Sequence, residues 1–340
     1  MEIKIRIFTI IFIMLTLVSC SSLQFESKNL LSKRYSEEKR VIFTADDYGI
    51  SENINRGIEE GIQNGLINHV EAMVTFDNAI DNIVMLQQRF PEVGIGLHLS
   101  ITSGYPLSSD GDINTLVNDE GEFYSIDRII TRLNKVDLNQ LEMELRAQIE
   151  SLVSRDVNVV SLSSQHNILS IYTPYFNVVE KLSREYNLSI RSPIAASMAY
   201  DNFSYAKTKQ RGMDLAGKVV RNDPFGAIRY AKYFKVDEMI RNQSFLDTQG
   251  VCHPDCLIDA VWGDPTPGNM FNILTNLPDG VSEIVFHLGI NEKEEEPEPG
   301  IDMSYYLMRE YELMLVTSPE MKRWLEDLNI KVVGYEDIRG

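Results

Sequence analysis

The chain has 340 residues, of which 44% are hydrophobic, 24% charged and 9% aromatic, with 20 Gly and 12 Pro. These proportions exclude wholesale disorder, a collagen-like repeat and a multi-span membrane protein. The formal charge of −18 repels a phosphate backbone, and no basic cluster offsets it, so no nucleic-acid partner is expected.

Lys4 and Arg6 precede an apolar run over residues 7–18, too short to span a bilayer but shaped as the core of a signal peptide. The run ends Leu17-Val18-Ser19-Cys20, which resembles the lipobox of bacterial lipoproteins. That resemblance implies a signal peptide over 1–19, lipidation of Cys20 and an extracytoplasmic protein held to a membrane by acyl chains. The plain alternative is a buried N-terminal element with a chance cysteine. Residues 20–39 are polar and turn-rich and read as a tether, leaving 40–340 as one domain.

Val41-Ile42-Phe43-Thr44-Ala45 has the apolar, β-branched character of a strand buried on both faces and is expected to stop at Asp46-Asp47-Tyr48-Gly49. Ser51 caps a predicted helix whose Ile54, Ile58 and Ile62 recur every four residues, with Gly65 closing it. Residues 70–75 read as a strand, 78–89 as a helix, 94–99 as a strand, 138–154 as a helix and 157–162 as a strand. A helix over 174–186 and a strand over 188–191 follow. Residues 197–250 show no clean period and are left open. Cys252-His253-Pro254-Asp255-Cys256 lacks the second ligand pair of a structural zinc site. Its cysteines are expected either to form a short disulfide or to remain thiols. A strand over 281–287, a helix over 305–316, a helix from the Ser318-Pro319 cap to Leu328 and a last strand over 330–335 complete the pattern. Strand and helix alternate, so the predicted class is α/β with mainly parallel strands.

The chemistry-bearing residues fall where those strands end. Asp46 and Asp47 follow the first strand, His98 closes the third, His166 follows the strand over 157–162, and His287 ends the strand over 281–287. Parallel α/β folds gather such ends on one rim. An Asp and two neutral His suit a divalent cation, zinc or magnesium, with positions left for water and substrate. A second Asp takes a proton from water and a further His protonates a leaving group. Adjacent Asp residues on extended backbone point to opposite sides, so one ligates while the other acts as base. Each residue also has a plain reading: a turn and helix cap for the Asp pair, core histidines for His98 and His287, an exposed bystander for His166. His69 and His253 are expected to be structural. Tyr48 and Trp262 are either stacking platforms for a sugar or core aromatics.

Thr44-Ala45-Asp46-Asp47-Tyr48-Gly49 resembles the T/N-A-D-D-F-G signature of the YdjC-like carbohydrate deacetylases. Gly94-Ile95-Gly96-Leu97-His98-Leu99, followed by Thr102, Gly104 and Pro106-Leu107, resembles that family's G-I-G-x-H-x-x-L-T-x-G-x-P-L segment. The resemblance implies a distorted (β/α) barrel like that of polysaccharide deacetylases, which removes N-acetyl groups from amino-sugar oligosaccharides with one divalent metal ion. It implies Asp46 as base, Asp47, His98 and His166 as metal ligands and His287 as general acid. The family's D-S-H stands where this chain reads Ser164-Gln165-His166, so Gln165 competes with His166 for the third ligand position, and a Ser replaces an Asp that would orient a ligand. The rival expectations are a metallo-phosphoesterase on the same rim and a non-catalytic glycan-binding lipoprotein.

Overall fold

A computed structural model describes residues 38–109, 111–196, 206–230, 236–291 and 303–338. The expected signal peptide, Cys20 and most of the tether lie outside these residues. Among the described residues, no helix is long and apolar enough to cross a membrane.

Strand β1 (Lys39–Tyr48) is central and is buried throughout from Val41. It pairs in parallel with β2 (His69–Ala72) on one side and with β7 (Gly280–Phe286) on the other. Outward from β2 run β3 (Gly94–Leu99), β4 (Val159–Ser164) and β5 (Ser189–Ile190). Beyond β7 lies β6 (Cys256–Ile258), and β8 (Lys331–Val332) adds to β1 beside Arg40 and Val41. Every named pair is parallel. The sheet curls until the chain leaving β5 reaches β6, where Ala195 bridges to Leu257 and the Leu257 N–H donates to the Ile194 carbonyl at 2.9 Å. The architecture is the expected α/β one, a parallel sheet curled into a half-barrel with helices outside.

The crossover helices show why. In α1 (Glu52–Gln63), the Ser51 hydroxyl accepts from the Ile54 N–H, and Ile54 and Ile58 are sealed against the sheet. Each fully buried isoleucine contributes about 1.5–3 kcal/mol. Helix α2 (Ala79–Arg89) follows β2, and α3 (Leu138–Val153), capped by Asp137, precedes β4. Helix α4 (Thr173–Tyr186) then leads to β5.

Two strands run further than the sequence predicts, and two points that the sequence leaves open are resolved. Strand β1 continues through Asp46 and Asp47 instead of ending before them, and β4 takes in Ser163 and Ser164. The region left open holds α5 (Ala206–Asn222), α6 (Pro224–Tyr230) and α7 (Val236–Gln249). Helices α5 and α6 leave Met213, Phe225 and Ile228 exposed. Cys252 and Cys256 are unpaired thiols, and burial pushes the Cys256 thiol up to about 12. Helix α8 (Pro267–Thr275) leads into β7, and α9 (Met303–Val316) and α10 (Pro319–Asp327) close the fold.

Candidate active site

The register of the sheet builds the site from alternate residues. Asp46 lies beside Glu71, Glu71 beside Gly96 and Gly96 beside Ser161, while His98 lies beside Ser163. Residues paired across parallel strands point to the same face, so Thr44 and Asp46, His69 and Glu71, and Ser161 and Ser163 all turn into the curl. Gly96 leaves the necessary room. A Cβ there would stand 2.3 Å from Glu71 Oε1 and 2.2 Å from Ser161 Oγ.

The two aspartates diverge because the strand breaks its register between Asp46 and Tyr48, with Asp47 at φ +79°. Such a bulge re-aims one side chain, and Asp tolerates positive φ better than most residues. Asp46 is gripped by Arg191, which follows β5: Nη1 donates to Oδ2 at 2.8 Å and Nη2 to Oδ1 at 2.7 Å. The same guanidinium reaches Glu283 Oε1 through Nε at 3.1 Å and Nη2 at 2.9 Å. Thr44 and Tyr335 complete the Glu283 carboxylate with hydroxyl donors, each at 2.8 Å. Asp47 pairs instead with Arg309 of α9, which also bonds the Tyr305 hydroxyl oxygen. Burial alone would raise the Asp47 carboxyl, but Arg309, with His287 and His98, holds it well below the usual carboxylate range.

His98 has polar neighbours at both ring nitrogens. Nδ1 lies 2.5 Å from Ser163 Oγ, and Nε2 lies 3.1 Å from Gln165 Oε1 and 3.9 Å from Asp46 Oδ2. His166, in the turn after β4 at φ +55°, directs Nδ1 to Thr102 Oγ1 at 2.9 Å. Although the residue as a whole is exposed, loss of hydration around its ring pushes its pKa down to about 4, with Asp47 pulling the other way. The His287 ring packs on Trp262 with centroids 4.5 Å apart, and its backbone N–H donates to Glu312 Oε2 at 2.7 Å. Trp262 in turn meets Tyr305 edge-on, and the Arg309 guanidinium lies over both rings. Trp262 is thus half-buried at the rim. Tyr48 is not a sugar platform: it is 2% exposed, and its hydroxyl bonds Glu59. His69 is fully buried beside Glu71, and His253 bonds Asp247, as expected of structural histidines.

Asp46, Asp47, His98 and His287 therefore share one rim, with the His98 and His287 fields both felt at Asp47. Arg191, Arg309, Glu71 and Glu283 were not anticipated. Polar alternation at 69/71, repeated at 44/46 and 161/163, was an available signal for Glu71 alone. Among the described residues, no three His, Cys, Asp or Glu side chains gather as a metal cluster. A set that includes an amide fits better. The Gln165 Oε1 accepts the His166 backbone N–H at 3.1 Å, so it presents an oxygen, not an amide N–H, to His98 Nε2. With the His98 ring proton on Nδ1, Nε2 and the Gln165 oxygen beside carboxylates would suit a divalent cation, and an imidazole with hard oxygens matches zinc or magnesium.

Comparison with known proteins adds a family. The YdjC-like protein family matches residues 40–327. A carbohydrate deacetylase of Clostridium beijerinckii is 34% identical over 45% of this chain and 59% of its own length, so that alignment spans less than two thirds of the relative. One from Thermoanaerobacter pseudethanolicus is 23% identical over 88% of this chain and 100% of its own. A crystal structure from Enterococcus faecalis V583, provisionally described as a cellobiose-phosphate cleavage protein, superposes with a TM-score of 0.66. It has 20% identity and covers 88% of this chain and 98% of its own, a likeness of fold.

Proposed function

The chain belongs to the YdjC-like protein family, and on that footing we propose that it is a metal-dependent carbohydrate deacetylase that removes N-acetyl groups from amino-sugar oligosaccharides. The observation that carries this reading is His98 within 3.9 Å of Asp46 while the adjacent Asp47 is held by Arg309, whose guanidinium lies over the Trp262 ring that packs on His287. His98, Gln165 and Asp47 would hold the cation. When bound, it polarises an acyl oxygen and supplies water that ionises near neutral pH.

The chain's own residues do the rest. Asp46, oriented by the two-point grip of Arg191, accepts the proton of the attacking water. His287, braced on Trp262, donates a proton to the departing sugar amine. Trp262 and Tyr305 offer ring faces beside His287 for a pyranose. Cys20 is proposed as the site of a lipid anchor that holds the domain outside the cytoplasm; incorporation of a labelled fatty acid, abolished by Cys20→Ala, tests this.

The function itself is tested by incubating the metal-supplemented protein with N-acetylated oligosaccharides and with phosphate monoesters. Acetate and a free amine are expected in equal amounts. Phosphate release without acetate would favour the phosphoesterase, and neither product, with retained glycan binding, the non-catalytic binder.

A further inference from the structure

Beneath His98 lies a buried carboxylate that no step above uses. Ser163 Oγ stands 2.5 Å from His98 Nδ1 and 2.5 Å from Glu71 Oε2. Glu71 is fully buried, and its other oxygen takes the Ser161 hydroxyl at 2.7 Å and faces His69 Nε2 at 3.1 Å. Burial opposes its charge, yet the His69 hydrogen bond and the field of Arg191 prevail and hold its pKa at about 2. An ionised carboxylate only accepts hydrogen bonds. The single Ser163 proton therefore goes to Glu71, and the Ser163 lone pair must accept from His98 Nδ1–H. The proton of a neutral His98 is thereby fixed on Nδ1, and Nε2 turns an unprotonated lone pair to the rim.

We propose that Glu71, acting through Ser163, is the positioning residue that sets the tautomer and ring orientation of His98. In the resembling family an Asp opens the D-S-H segment; with Gln165 beside His98, that Asp position falls on Ser163. The serine is too short of charge to orient an imidazole alone, and the neighbouring strand supplies the missing carboxylate at Glu71. Gly96, between Glu71 and Ser161 in the register, is what lets the carboxylate cross the sheet. Outer partners of this kind govern the basicity and aim of the nitrogen they leave bare. The consequence for hydrolysis rests on the deacetylase reading above; the tautomer does not.

The test is a long-range proton–nitrogen NMR correlation on metal-free full-length protein labelled with 15N-histidine, with the His98 signals assigned by their loss in His98→Gln. Wild type is expected to show a protonated Nδ1 and a bare Nε2. Ser163→Ala and Glu71→Gln should each shift His98 toward the Nε2–H form, while Ser163→Asp combined with Glu71→Gln restores the wild-type pattern. Thermal melts identify any variant that does not fold, and Ser163→Ala with the double variant decides the matter if Glu71→Gln is such a case. In acetate release, Ser163→Ala should lower kcat by about 10–100-fold with KM little changed, and the double variant should recover most of it. A folded Ser163→Ala protein that keeps Nδ1–H, or a double variant that does not regain it, overturns the proposal. If wild type releases no acetate, the deacetylase reading fails and the NMR result still decides the role of Glu71.

Discussion

Gln165 Oε1 stands 3.1 Å from His98 Nε2, while the adjacent His166 turns its ring to Thr102. Strand β4 runs on through Ser164, so Gln165 is the first residue past its end and inherits the inward direction. His166 then enters the left-handed region at φ +55°, and its Nδ1 meets Thr102 Oγ1.

This relationship ranks the two residues. Gln165→Ala is expected to lower acetate release by about 10–100-fold, as loss of a group at the metal site or beside its ligand does. His166→Ala should stay within several-fold of wild type. Steady-state kinetics on one oligosaccharide check both, and the reverse ranking would restore His166 to the third ligand position.

Arg191 joins Asp46 and Glu283 in a buried ion-pair network. Removing its charge with Arg191→Met strands both carboxylates. Breaking such a network typically costs about 3–5 kcal/mol, whatever its net contribution when intact. The expected readout is a large fall in the urea midpoint, and an unchanged midpoint would show that the two carboxylates find other partners.

Helix α1 reaches the other side of the rim through Gly57. A Cβ there would lie 2.4 Å from Gly289 Cα, and the backbone N–H of Ile290 is anchored on the Asn53 carbonyl at 3.1 Å. Gly57→Ala must push backbone away from backbone and displace the segment that carries His287. The expected cost is about 1–3 kcal/mol of stability with a disproportionate loss of kcat. Chemical denaturation and kinetics on the same preparation separate the two effects.

Acid should act through Glu71. Its ordinary value is 4.5 and its folded value about 2, so the folded state holds the charged form more tightly than the unfolded chain does. The stability this confers is fully present above pH 4.5 and drains away as pH falls toward 2. The loss is on the order of a few kcal/mol. Asp47, also depressed, adds in the same direction. His166, lowered to about 4, adds an earlier loss between pH 6.5 and 4, because the unfolded chain takes up its proton first. Urea midpoints measured from pH 7 down to 3 should fall more steeply below pH 4.5 for wild type than for Glu71→Gln.

Much of the rim was legible because strand ends are readable. A β-rich run ending in Asp46-Asp47 and another ending in His98 place those residues on one edge once the strands are parallel. The partners of those residues were not legible for two reasons. Arg191 and Arg309 reach the aspartates across 145 and 262 residues of chain, and no local pattern encodes such a pairing. Glu71 lies in a four-residue strand that reads His-Val-Glu-Ala, where a buried acid contradicts the expected apolar run. What makes it tolerable, the bare surface of Gly96 and two serines on β4, emerges only from the register. Asp47 shows a third limit. The opposite-facing rule separated the two carboxylates correctly in outcome, but the separation comes from a bulge at positive φ and not from regular extended backbone.

The most direct measurement is acetate released from an N-acetylated chitooligosaccharide by wild type and Asp46→Asn, each before and after chelation and resupply of a divalent cation. The account predicts release by wild type that chelation abolishes and the cation restores, with Asp46→Asn reduced by about 100–10,000-fold while still folded. Acetate release that survives both chelation and the loss of the Asp46 charge would contradict it.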